Sequence, residues 1–175
     1  MPHAVFLLRF FLRPARPMLG RMLHSAVHRG DLRRTKSLLE AGAQPNDWGH
    51  DGFTPLTRNH ARDDASCAKI AQALIAAGAR VDLPNASGMR ALDYAALFCL
   101  PGLASLLLEA GSDADALNAK GLTPLGLLLD FCHNSPTSFD KNSVAAIESI
   151  FERQALLHCA RSTPTNADEP KRRRL

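Results

Sequence analysis

Aromatic residues are scarce in this 175-residue chain: eight Phe, one Trp and one Tyr. A large aromatic core is therefore excluded, and the Ala and Leu that dominate instead favour closely packed helices. No apolar run reaches the roughly 18 residues that a membrane-spanning helix needs, so membrane association is not expected. The four cysteines, Cys67, Cys99, Cys132 and Cys159, form no C-x-x-C pair and no spacing that suggests a disulfide framework. Reduced thiols in a cytoplasmic setting are the expectation. Catalytic signatures are missing too: there is no glycine-rich phosphate loop, no H-E-x-x-H and no G-x-S-x-G. These absences point away from an enzyme and from any bound cofactor.

Acidic residues are nearly absent from the start of the chain. Residues 1–36 carry eight Lys/Arg against Asp31, whereas residues 37–167 carry nine Lys/Arg against fourteen acids. The net charge of +4 thus sits at the two ends around an acidic middle. A nucleic-acid-binding domain usually carries its positive charge on the folded body, which argues against that partner class. The opening segment, residues 1–22, places Arg9, Arg13 and Arg16 after or within its apolar stretch, unlike a secretory leader. Three readings stay open for it: a cover for the exposed end of the fold, a poorly ordered start, or a targeting or membrane-surface helix.

What is present is repetition. "DGFTPL" at 51–56 returns as "SGMRAL" at 87–92 and "KGLTPL" at 120–125. "LLEAGAQPN" at 38–46 returns as "LIAAGARVD" at 74–82 and "LLEAGSDAD" at 107–115. Gly42, Gly78 and Gly111 stand 36 and 33 residues apart, and Gly52, Gly88 and Gly121 keep the same two intervals. Two independent landmarks in one register predict a stacked array in which each unit contacts only its neighbours. Within a unit, Gly52 suits a tight turn, Thr54 a helix cap and Pro55 the first helical position. The Leu/Ile stripes Leu38–Leu39, Ile70–Leu74–Ile75 and Leu103–Leu106–Leu107 mark the buried face of each second helix.

The Gly-x-Thr-Pro-Leu turns at 52–56 and 121–125, with the Leu-Leu/Ile-x-x-Gly-Ala/Ser endings, resemble the ankyrin repeat family over about residues 23–157. The resemblance implies an all-α helical solenoid with short β-turn hairpin tips. Four units are expected, at about 23–47, 48–81, 82–114 and 115–157. The last holds a polar insert at 132–143, expected as a surface loop with a helix from Val144, and residues 158–175 form a disordered basic tail. The second unit's first helix reads "LTRNHARDDASC", with three extra residues in its connection. The third has Arg90-Ala91 in place of Thr-Pro and is expected to lack the cap. Family members commonly carry His directly after T-P-L; Thr57, Asp93 and Gly126 stand there, so that hydrogen-bond network is expected to be missing.

Hairpin tips and first helices need not fill a core, so they are the candidate partner-binding surface. The tip residues are Trp48, His50, Asp51 and Phe53, then Asn85, Ser87 and Met89, then Leu117, Lys120 and Leu122; Arg58, Arg62, Leu97 and Phe98 extend the face from the first helices. The bland alternative is that Trp48 and Phe53 fold back over their own turns. Cys132-His133 and His158-Cys159 are the pairs that suggest zinc ligands or a thiol and its base, but adjacent side chains diverge too far for either. His60 with Asp63 and Asp64 reads as a solvated connection. "KRRRL" at 171–175 is either a solvated tail or a nuclear localisation or phosphate-binding element. The resulting expectation is a non-enzymatic module that binds another protein, as a monomer or complex subunit. An effector or nuclear regulator using the basic ends, or a metal or thiol enzyme, are the alternatives.

Overall fold

The structure is a computed structural model and describes residues 16–60, 63–134 and 140–162, with backbone alone at 16 and 158–162. Residues 1–15, Arg62, residues 135–139 of the insert and the KRRRL tail lie outside the described residues. Seven helices are present among them: α1 (Arg16–His28), α2 (Leu32–Glu40), α3 (Asp64–Ala76), α4 (Ala91–Leu97), α5 (Pro101–Glu109), α6 (Pro124–Asn134) and α7 (Lys141–Ser162). No strand occurs among the described residues. The second helices stack in chain order, α2 on α3 on α5 on α7, while α4 packs on α6 in the first layer. The first, third and fourth units also close on themselves, α1 with α2, α4 with α5 and α6 with α7. The expected helical solenoid is the observed architecture.

The shared core runs through the stack. Leu23, Ile70, Leu74, Leu92, Leu103, Leu107, Leu128 and Ile147 are all fully buried, each contributing about 1.5–3 kcal/mol. Short helices of nine residues, such as α2 and α5, are marginal alone and depend on this burial. Their ends are fixed by local chemistry. Asp31 accepts a hydrogen bond from the Arg34 N–H at the start of α2, and Asp63 does the same for Ser66 at the start of α3. At the end of α2, Gly42 takes φ +95° and lets Ala43 N–H reach the Leu38 carbonyl at 2.9 Å, a left-handed helix stop.

The structure differs from four of these expectations. The second unit has no first helix; residues 55–60 form turns, and helix resumes only at Asp64. Asn59 explains it, because its buried side chain donates to the Cys67 carbonyl at 2.6 Å and fills a position where a small apolar residue would continue the helix. The polar insert is shorter than 132–143: Cys132–Asn134 complete α6, and α7 begins at Lys141 behind Asp140, whose carboxylate accepts from Ser143 N–H. Helix α7 also runs on to Ser162, past the tail boundary expected at 158. At the other end α1 starts at Arg16, so the boundary drawn at 22/23 falls inside a helix whose Leu19 belongs to the core.

The positions after T-P-L do carry hydrogen bonds, in a different form. Thr54 Oγ1 accepts from Thr57 N–H at 3.1 Å, and Thr57 Oγ1 accepts from Thr54 N–H at 2.8 Å. In the third unit, where Arg90 supplies no cap, Asp93 reaches back instead and accepts from Arg90 N–H at 2.7 Å. In the fourth, Thr123 Oγ1 accepts from Gly126 N–H, and glycine returns nothing.

Candidate functional site

The three tips are built alike from backbone outward. Gly49 N–H donates to the Phe53 carbonyl, Asn85 N–H to Met89 and Asn118 N–H to Leu122, at 2.7–3.0 Å. In the second and third tips an asparagine side chain braces the loop: Asn85 Oδ1 accepts from Ser87 and Met89 N–H, and Asn118 Oδ1 from Lys120 and Leu122 N–H. Asn85 is thereby buried, so it is a structural brace and not the exposed contact residue expected from the sequence. Neighbouring units are tied below the tips. Asn46 donates to the Gly78 carbonyl and accepts from Arg80 N–H, and the equivalent Asp82 accepts from the Ser112 hydroxyl at 2.7 Å.

The remaining tip residues divide by exposure. Trp48 is 53% exposed and Leu117, at the equivalent place in the last tip, 59%. His50, Asp51, Ser87 and Lys120 are exposed; Met89, Leu122 and Leu97 are half-buried. Trp48 therefore does not fold back over its turn. Phe53 turns inward, but toward the next unit, where its ring lies 5.6 Å from Tyr94.

That contact belongs to a cluster on the first-layer side. His60 stacks on two rings of the following unit, Tyr94 at 4.6 Å and Phe98 at 4.9 Å. The Arg58 guanidinium lies 5.0 Å from the Phe53 ring centre and is ion-paired with Asp51. Asn85 Nδ2 donates to the Tyr94 hydroxyl at 2.8 Å, fixing that ring from behind. Phe98, at the outer edge, remains 44% exposed. Among the sequence candidates the structure thus joins Asp51, Phe53, Arg58 and Phe98 into one patch. His60 and Tyr94 were missed as members of it, although Tyr94 is the chain's single tyrosine and falls one unit after Arg58.

Charge states follow from burial. Burial lowers the His60 pKa below the ordinary histidine value, with nearby Arg58 acting the same way. His60 Nδ1 bonds the Thr57 carbonyl, an acceptor, so the neutral ring carries its proton there. Burial likewise lowers His24, whose Nε2 bonds the Asp47 carbonyl under the first tip. His24, Trp48 and Arg58 line a cleft of about 450 Å³ beside that tip.

For the chemical alternatives, no group of three or more His, Cys, Asp or Glu suited to a metal occurs among the described residues. Cys99 and Cys132 form no disulfide among the described residues, and burial pushes Cys99 up to about 11, against a reactive thiolate. No described helix is long and apolar enough to cross a membrane. A family model described as ankyrin repeats (3 copies) matches residues 23–118. No curated protein matches the sequence significantly.

Proposed function

The chain belongs to the ankyrin repeat family, and on that premise we propose that it is a non-enzymatic recognition module that grips a partner protein through its tips and first-layer face. Ankyrin repeats are in general protein–protein interaction modules. One observation of this chain carries the finer reading: the ring cluster Phe53–His60–Tyr94–Phe98 spans two units, from Phe53 on the tip that bears an exposed Trp48 to an exposed Phe98. Large rings held rigid by their neighbours lose little entropy on contact and anchor interfaces. Arg58, already positioned by Asp51 and Phe53, adds a donor at the same patch. Thiols without a disulfide at Cys99 and Cys132 fit a reducing, cytoplasmic setting.

The experiment is affinity capture with the wild-type chain, Trp48→Ala and Phe98→Ala, followed by titration of the purified captured protein. Both substitutions are at exposed sites and leave helical circular dichroism intact. Loss of at least tenfold in affinity for either variant is the expected result. Affinities equal to wild type for both would remove this face as the binding surface.

A further inference from the structure

A second surface, at the N-terminal end of the stack, goes beyond that reading and stands whether or not the tips bind. A groove of about 660 Å³ follows one stripe of α1 and meets the start of α2. Pro17, Met18, Met22 and Ala26 make its floor, and Arg21, Arg29 and Arg34 stand around it. Met18 is 56% exposed, and all three arginines are exposed. Their guanidinium groups make no ion pair or hydrogen bond with any described residue. The one acid in the lining, Asp31, is already engaged by Arg34 N–H.

We propose that this groove is the docking site of an acidic amphipathic helix, a segment with an apolar stripe flanked by Asp or Glu. The stripe from Pro17 to Arg29 spans about 18 Å at 1.5 Å per residue, matching roughly three turns of a helix laid beside α1. Helices of successive units lie side by side in the same way, α6 on α4 and α3 on α2. An apolar stripe fills the methionine floor, and carboxylates meet the guanidinium forks in bidentate pairs. The chain's own opening residues are the competing occupant. They are apolar but carry Arg9 and Arg13, which would add positive charge to a groove that already holds three arginines. Charge complementarity selects the acidic partner.

The probe is a fluorescently labelled, end-capped helical peptide with Leu at every third and fourth position and Glu elsewhere, titrated against the full chain by anisotropy. Its counterpart has Lys for every Glu. The expected result is saturable binding of the Glu peptide that weakens at least tenfold in Arg29→Glu/Arg34→Glu and in Met18→Asp, and falls with added salt. The Lys peptide binds at least tenfold more weakly, a comparison that needs no variant. Leu156→Ala, exposed on α7 at the other end of the stack, stays within twofold. Failure of the Glu peptide to bind the full chain, equal binding of both peptides, or indifference to the arginine reversal would overturn the proposal.

Discussion

His60 lies face to face with Tyr94, ring centroids 4.6 Å apart and planes 10° from parallel, although the two belong to different units. Burial favours the neutral imidazole there, holding the His60 pKa below its ordinary 6.5, as it does for His24. Between the folded value and 6.5 the unfolded chain binds more protons than the folded one, so stability is complete above 6.5 and is lost as pH falls through the folded value. Asp93 works in the opposite sense, because burial raises its carboxyl above 3.8, so its contribution is complete below 3.8 and is lost as pH rises through the folded value.

The urea midpoint should therefore fall as the pH is taken from about 7 to about 5. His60→Phe keeps a ring against Tyr94 and Phe98 but removes the titration, so its midpoint should fall less over the same range. A wild-type midpoint that is flat or rises toward acid would contradict the assignment.

Cys99 is the only described non-glycine residue with positive φ, at +50°. It occupies the helix–helix turn where the first unit has Gly30, and both turns close with the same pair of backbone bonds. A left-handed conformation costs an L-residue about 1–2 kcal/mol, which glycine avoids. Glycine also gives entropy to the unfolded chain, which offsets about 0.4–1 kcal/mol of that gain. Cys99→Gly should raise the urea midpoint modestly, while β-branched Cys99→Val should lower it. Equal midpoints for the two variants would mean the turn is not strained.

Gly52 faces two constraints at once. Its φ is +76°, and a Cβ there would stand 2.4 Å from the Ala86 Cβ of the next tip. Ala86 N–H also donates to the Gly52 carbonyl at 2.8 Å, so the tips cannot simply separate. Gly52→Ala should destabilise by about 1–2 kcal/mol from conformation alone, and further from the clash. Gly42 is also at positive φ, but a Cβ there would meet nothing within 4 Å, so the same substitution should lose only the conformational part. Thermal melts of the two variants make the comparison.

The array was legible because it is local: turns, caps and glycine spacing repeat within each unit, and the Leu/Ile stripes follow from helical period. What crosses between units was not. His60 looked like part of a polar connection with Asp63 and Asp64, and its ring partners lie more than thirty residues on. The second unit's missing helix was hinted at by Asn59, but only the Cys67 carbonyl supplies the reason. Asn85 looked like an exposed tip residue because nothing in the sequence shows that its side chain closes the loop and meets Tyr94.

Asp64 shows the same kind of cross-unit chemistry and gives a sharper test. Its carboxylate sits on the first turn of α5, accepting from Gly102 N–H at 2.7 Å and Leu103 N–H at 2.8 Å. It satisfies helix N–H groups that no residue of α5 itself caps, and its charge suits the positive end of the helix. A Cβ on Gly102 would lie 2.8 Å from Asp64 Oδ2, so the glycine is what lets the carboxylate approach. Asp64→Ala should cost about 0.5–2 kcal/mol, the usual worth of a cap. Gly102→Ala should destabilise the wild type by pushing the carboxylate away. In the Asp64→Ala background the obstruction is gone, and alanine's better helix propensity, by up to about 1 kcal/mol, should make the same change stabilising. A double-mutant cycle by urea denaturation reads that reversal of sign directly; additive effects would mean that Asp64 does not cap α5.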